Sequence, residues 1–203
     1  MTNRILIWDV PTRVFHWLQA LAFLGAYLTS DSGRYRDIHI AMGYIMLGLL
    51  IFRLLWGFAG TRYARFSSFL FMPRKVIEYL GSLIKKNPIH YLGHNPAGSV
   101  AVWLLLLVGL LLNISGVFAL QDYASDEVIE LHEVATDIML VLIAIHILGV
   151  FVSSFLHREN LVRAMITGTK PSDTDTGIQS THLWLGVAIF VISVVFYFIY
   201  LGS

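Results

Sequence analysis

Five long apolar runs, separated by polar punctuation, set the organisation of this chain. The first runs from about Arg13 to Ser30, the second from Ile38 to Gly57 and the third from Ser99 to Leu120. The fourth runs from about Asp126 to Phe155, apolar throughout from Ile138, and the fifth from His182 to Leu201. Each is near the ~20 residues an α-helix needs to cross ~30 Å of hydrocarbon. Pro11 suits a helix start, and so does Asn95-Pro96, with Asn95 as N-cap and Pro96 in the first helical position. The segment from Phe71 to Lys86 mixes Arg74, Lys75 and Lys85 with Val76, Ile77, Leu80, Leu83 and Ile84. It is too polar to span and predicts a helix lying in the interface. The stretch from Thr167 to Thr181 reads as a flexible loop, and Trp8, Asp9 and Pro11 interrupt any cleavable signal, so the first helix is expected to be retained.

Composition agrees with this pattern. Of 203 residues, 57% are hydrophobic and 13% charged, and the mean hydropathy is +0.71. An ordinary soluble domain is about 25% charged, so a soluble globule, a disordered tail and a nucleic-acid binder are all poor readings. The net charge of +1 argues against a broad polyanionic partner. The absence of cysteine excludes disulfides, iron–sulfur clusters, thiolate zinc sites and covalently attached haem. The expected fold is an all-α integral membrane bundle.

Counting Lys and Arg on alternate sides gives the orientation. With the N-terminus inside, the inner face receives Arg4, Arg13, Arg53, Arg62, Arg65, Arg74, Lys75, Lys85, Lys86, Arg158, Arg163 and Lys170, while the outer face keeps Arg34 and Arg36. That distribution is a strong positive-inside signal. It places the N-terminus in the cytoplasm and Ser203 outside. The second outer loop carries Asp122, Asp126, Glu127 and Glu130, so the outer face is acidic.

Ionisable groups inside a membrane are costly and mark function. His16, His39, His132 and His146 lie within or at the ends of the first, second and fourth helices. His132 and His146 are 14 residues apart, hence about 21 Å along the axis but only ~40° around it. The first helix enters from inside, which puts His16 at the depth of His146. The second enters from outside, which puts His39 at the depth of His132. Two cross-helix imidazole pairs suit bis-histidine ligation of two haem irons. Zinc needs three or four ligands converging on one point, which this separation denies, and a proton relay prefers carboxylates that the helix middles lack. Gly43, one turn after His39, leaves room for a flat macrocycle. Arg53, 14 residues after His39 and on the same face, is placed to meet a propionate of the inner haem or to stand as an interfacial arginine.

The run Trp8-Asp9-Val10-Pro11-Thr12-Arg13-Val14-Phe15-His16-Trp17 resembles the first-helix signature of the bacterial cytochrome b561 and nickel-hydrogenase cytochrome b family. Ile38-His39-Ile40-Ala41-Met42-Gly43-Tyr44 with Arg53 resembles its second-helix motif. Leu131-His132-Glu133, Ile145-His146 and His157-Arg158-Glu159-Asn160-Leu161-Val162-Arg163 resemble its fourth helix and tail. The resemblance implies a four-helix core with two non-covalent b haems over residues 1–168, held by the same pairs, and electron exchange between membrane quinone and a redox protein. Gly93-His94-Asn95-Pro96 resembles the turn that borders quinone in related subunits, which makes His94 and Asn95 quinone-contact candidates. His90 and His157 read as surface or headgroup residues, and His182 as interfacial. Residues 169–203 add an inner loop and a fifth helix, available to a partner or to a second copy.

The leading functional expectation is an electron-transfer subunit linking quinone to an extracytoplasmic partner, such as a c-type cytochrome or a hydrogenase-like subunit. The alternative is a self-sufficient superoxide:quinone oxidoreductase. That would need a cationic funnel at the outer haem, where only Arg34 and Arg36 stand, beside Asp31 and Asp37.

Overall fold

The computed structural model describes residues 3–85, 89–121, 124–172 and 176–202; Lys86, Asp122 and Ser203, counted above from sequence, lie outside the described residues. Strand β1 (Asn3–Leu6) precedes helix α1 (Val10–Thr29), which pairs along α2 (Arg36–Ala59). The interfacial helix α3 (Pro73–Ile84) leads to α4 (Pro96–Ala119), which pairs along α5 (Asp126–His157). A short α6 (Leu161–Thr167), strand β2 (Thr169–Ser172) and α7 (Leu183–Gly202) complete the chain, with α7 resting on α1 and α2.

Among the described residues, four stretches have the length and hydropathy to cross a membrane: Gly33–Ala59, Pro96–Ala119, Asp126–His157 and Leu183–Gly202. The 20-residue α1 is as long as α7, but Arg13, His16 and Gln19 dilute its hydropathy. It packs along α2 and α7 in the bundle. The N-terminal end of α1 lies beside the C-terminal ends of α2 and α5 and the N-terminal ends of α4 and α7. This end carries most of the Lys and Arg residues and is called the basic end here; the opposite end is the acidic end. At 1.5 Å per residue the 32-residue α5 is about 48 Å long, more than a ~30 Å hydrocarbon layer needs. Its first turns, with Asp126, Glu127 and Glu130 exposed, therefore stand clear of that layer.

Local chemistry fixes the helix starts. Asn95 Oδ1 accepts the Gly98 amide at 2.7 Å, with Pro96 in the first turn, as the sequence predicts. Asp9 Oδ1 accepts the Thr12 amide at 2.8 Å, so α1 begins at Val10, three residues before the apolar run. Asp9 is fully buried, and its Oδ2 accepts from Trp56 Nε1 at 3.1 Å and from Thr61 Oγ1 at 2.6 Å. One carboxylate thus caps α1 and ties it to the end of α2, and its burial is tolerated because each oxygen is hydrogen-bonded. Amphipathic α3 keeps Tyr79 buried and Ile77 and Ile84 exposed, with Arg74 and Lys75 paired to Glu78 at 3.0 and 3.2 Å, as an interfacial helix requires.

The stretch read as a flexible loop is different. Residues 169–172 form β2, antiparallel to β1 in the register Asn3↔Ser172 to Leu6↔Thr169. Gly168, at φ 82°, ends α6 and turns its carbonyl to the Ile7 and Trp8 amides at 2.8 and 3.0 Å. A Cβ at Gly168 would lie 2.6 Å from the Trp8 carbonyl oxygen, so only glycine allows this approach. Pairing between strands of four residues, far apart in sequence, leaves no signal in either stretch alone.

The core is layered. Ala22, Ala26, Met46, Leu112, Ala135 and Met139 fill the middle of the bundle, and Leu50, Phe66, Phe69 and Leu106 fill its basic end. Ile5, Ile7, Trp8 and Tyr63 form a third cluster beneath the β1–β2 cap.

Candidate functional site

At the acidic end, His39 stands in the first turn of α2 and His132 in the second turn of α5, with ring centroids 6.2 Å apart and planes at 79°. His39 Nδ1 lies 2.8 Å from the Ala26 carbonyl oxygen, and His132 Nδ1 lies 3.1 Å from that of Leu112. A carbonyl oxygen only accepts, so both Nδ1 atoms carry the proton and both Nε2 atoms keep a free lone pair. Ser115 Oγ lies 3.3 Å from the same His132 nitrogen. A Cβ at Gly116 would come within 2.9 Å of His132 Cε1, so the absence of a side chain there lets the imidazole seat.

At the basic end, His16 of α1 and His146 of α5 have ring centroids 6.4 Å apart and planes at 52°. The sequence-predicted partners are therefore brought together in both cases. His16 Nδ1 is buried and has no hydrogen-bond partner among the described residues; the same holds for Gln19 Oε1, Arg53 Nη1, His94 Nδ1 and Trp103 Nε1. Arg53 is 3% exposed, with its guanidinium 5.0 Å from the centre of Phe66 and 5.8 Å from that of Phe69. The Phe69 ring also packs against His94 at 4.5 Å and Trp103 at 5.7 Å. No salt bridge to Arg53 is formed among the described residues. Burial first, then the charges of Arg53 and Lys170, push the His94 imidazole down to about 3, so it is neutral at physiological pH. Asn95 is engaged as the α4 cap, and its Nδ2 reaches Ser153 Oγ of α5 at 3.5 Å.

Of the other histidines, His90 is exposed while His157 and His182 are half-buried. His90 bonds Glu159, and His157 Nδ1 lies 2.9 Å from the Ser153 carbonyl oxygen while its ring stacks at 6.4 Å on Tyr79. His182 precedes α7 with a φ of 48° and packs edge-on to Trp56 at 5.2 Å.

The donor set fits b-type haem. With metal–imidazole bonds of ~2 Å, two axial nitrogens lie ~4 Å apart. Adding about 1 Å from each nitrogen to its ring centre brings the centroids to ~6 Å, close to the 6.2 and 6.4 Å of the two pairs. A Cβ built at Gly43 meets nothing within 4 Å, so the α2 surface one turn from His39 is flat. The unpartnered Arg53 and Trp103 donors, both packed against Phe66 and Phe69 at the basic end, match the acidic groups such a macrocycle carries. No cluster of three or more His, Cys, Asp or Glu able to hold a metal occurs among the described residues. Ser115, Gln19 and Trp103 were not singled out by sequence; one hydroxyl, one amide and one indole on apolar helices carry no distinguishing pattern.

The prokaryotic cytochrome b561 family profile matches residues 7–168. A probable Ni/Fe-hydrogenase B-type cytochrome subunit of Rhizobium leguminosarum bv. viciae is 22% identical over 213 residues, covering 82% of this chain and 88% of the relative. The corresponding protein of Azotobacter vinelandii is 26% identical, covering 81% and 87%. A probable Ni/Fe-hydrogenase 1 B-type cytochrome subunit of Escherichia coli (strain K12) is 29% identical over 57% of this chain and 60% of its own length. No solved structure matches the chain significantly. With the family match spanning most of its length and a bundle of apolar helices around paired imidazoles, the chain belongs to the prokaryotic cytochrome b561 family of multi-pass membrane b-type cytochromes that transfer electrons.

Proposed function

We propose that this chain holds two b haems, one between His39 and His132 and one between His16 and His146, and carries electrons across the membrane between quinone and a redox protein outside. The observation that carries this reading is the pair of cross-helix imidazole couples at 6.2 and 6.4 Å. Bound haem supplies reversible one-electron chemistry; the chain supplies ligands, spacing and field.

The residues divide this work. The Ala26 and Leu112 carbonyls hold the acidic-end imidazoles in the tautomer that presents Nε2. Arg53 neutralises a propionate at the basic end, and Gly43 gives the macrocycle its flat wall. Neutral His94, with Asn95 at the start of α4, offers hydrogen bonds to a quinone oxygen near the basic-end pair. The basic end faces the cytoplasm of a bacterial inner membrane, and the acidic end outward, as the Lys and Arg distribution favours. The exposed carboxylates of Asp37, Asp126, Glu127 and Glu130 steer a partner with a basic patch. The relatives' names favour a hydrogenase-like subunit as that partner. The α7 face turned away from α1 and α2, which exposes Trp184, Val191 and Phe198, offers contact to a partner or a second copy.

A pyridine haemochrome assay of the purified protein is expected to give two haems per chain, extractable intact into acidified solvent because there is no cysteine to hold them. One haem, or none, would overturn the reading. Gly116→Ala tests the acidic-end pocket more finely. The added methyl needs the space of the His132 ring, which the Leu112 carbonyl holds in place. Haem content is expected to fall from two towards one while the protein still accumulates, and an unchanged content would show that the ring yields.

A further inference from the structure

Helix α7 is seated on α1 and α2 at its two ends. At the basic end the Thr181 carbonyl accepts the Val10 amide at 2.9 Å. Buried Gly186 lies so close to Val10 that a Cβ there would come within 2.5 Å of its Cγ1. At the acidic end Phe196 and Tyr200 pack on Tyr44 of α2, with ring centroids 6.4 and 6.0 Å apart. Between these two seats the three helices leave a cleft of about 210 Å³.

Its walls are Leu18 and Ala22 of α1, Met42 and Ile45 of α2, and Val194 and Phe198 of α7. Leu18 and Ala22 lie about 120–160° around α1 from His16, so the cleft is separate from the imidazole pairs. The lining hydroxyls are those of Ser193 and Tyr197, and Ser193 Oγ donates to the Ile189 carbonyl at 2.9 Å. A buried water needs two to four polar partners, whereas an apolar cavity of ~150 Å³ stays dry and takes up benzene. The walls therefore select a hydrocarbon. Leu21 and Phe198 at the lip are 62% and 68% exposed, so the cleft opens sideways, where membrane lipid tails lie.

Depth and charge identify the tail. At 1.5 Å per residue, Phe198 and Val194 are about 6 and 12 Å from the acidic end of α7, and Ala22 and Leu18 about 10 and 16 Å from that of α1. That range matches one leaflet of a ~30 Å hydrocarbon layer. The connection from α1 into α2 stands above it and carries Arg34 and Arg36, both exposed and in no salt bridge among the described residues. Neighbouring arginines complement a phosphodiester, and the exposed Asp31 and Asp37 beside them suit the ammonium of a zwitterionic headgroup.

We propose that the cleft between α1, α2 and α7 is a phospholipid site. One acyl tail of a zwitterionic lipid in the acidic-end leaflet lies in it, with the phosphate on Arg34 and Arg36. The lipid completes the seat of α7 between its two protein contacts.

The test is native mass spectrometry of the purified holoprotein, delipidated by detergent exchange and titrated with phosphatidylethanolamine. One tightly held lipid per chain is expected. Val194→Phe fills the cleft from α7 and is expected to weaken lipid retention at least tenfold with haem content unchanged. Arg34→Gln/Arg36→Gln, outside the bundle, should weaken it as well. A prenylquinone offered in competition should not displace the lipid. No lipid held by the wild type, displacement by the prenylquinone, or undiminished retention in either variant would overturn the proposal; the last result would mark a lipid of the general annulus. If Val194→Phe does not accumulate, the wild-type count and the arginine variant decide.

Discussion

Replacing His39 or His132 by Ala is expected to remove one and the same haem, leaving the other reducible. Replacing His16 or His146 should do the converse. The physical basis is that each pair serves a single iron, so a second loss within a pair removes nothing further. His39→Ala/His132→Ala should therefore retain one haem per chain, as each single variant does; such non-additivity is what coupled residues show. Substitutions across the pairs have the opposite outcome. His39→Ala/His146→Ala should lose both haems and fail to accumulate, since the pocket walls would be left as polar atoms facing hydrocarbon. Crossed pairing of His16 with His132 would need imidazoles to span about 20 Å along the helix axes, whereas the observed partners are 6.4 and 6.2 Å apart. Haem counts and low-temperature spectra of the single and double variants check this, and one intact haem in His39→Ala/His146→Ala would defeat the assignment.

Lys170→Ala is expected to loosen the cap at the basic end. Lys170 is 4% exposed, and its Nζ lies 3.2 Å from Glu159 Oε2 and 3.5 Å from the Tyr91 carbonyl oxygen. Glu159 also binds His90, so the pair joins β2, the α5–α6 turn and the loop leading to His94. Burial raises the Glu159 carboxyl, but the Lys170 charge and the hydrogen bond and charge of His90 outweigh it and hold the group below its usual range. A depressed carboxyl stabilises the fold above its unfolded value, and that contribution is lost as pH falls through the folded one. Removing Lys170 leaves a largely buried carboxylate with His90 as its remaining partner among the described residues, at a cost of about 1.5–3 kcal/mol to the cap. With Lys170 gone, burial is opposed by His90 alone and the carboxyl is held down less, so the destabilisation should be largest at neutral pH and shrink on acidification. Hydrogen exchange of the β1–β2 amides measures it directly. Lys170→Ala/Glu159→Gln should recover much of the loss, and no recovery in that double variant would mean that packing of the lysine stem, rather than charge, holds the cap.

Both predictions use geometry that differs in how far it could be read from the chain. The spacing of His132 and His146, the direction of each helix and the Lys/Arg count together paired the four histidines by depth. The Asn95 cap and the amphipathic Pro73–Ile84 helix were legible for the same reason, because each depends on residues within one or two turns. The β1–β2 ladder, by contrast, joins Ile5 to Lys170, and neither segment alone has the alternation of a strand. His90 and His157 carry the composition of surface residues; His90 stays exposed while it bonds Glu159, whereas the returning chain draws His157 against Tyr79.

The amino-acid sequence by itself determined the membrane class, the apolar helices, the depth of each imidazole and the sorting of charge between the two ends, since hydropathy, helical periodicity and the rise per residue act locally. Only the tertiary structure decided which atoms flank those imidazoles. The acceptors that fix His39 and His132 are the main-chain carbonyls of Ala26 and Leu112, and every residue has a carbonyl, so no side chain announces them. The seat for the His132 ring is the missing side chain of Gly116 on a different helix, and the buried Asp9 carboxylate ties the start of α1 to Trp56 and Thr61 at the end of α2. These are relations between segments distant in sequence, and they exist only once the helices are packed.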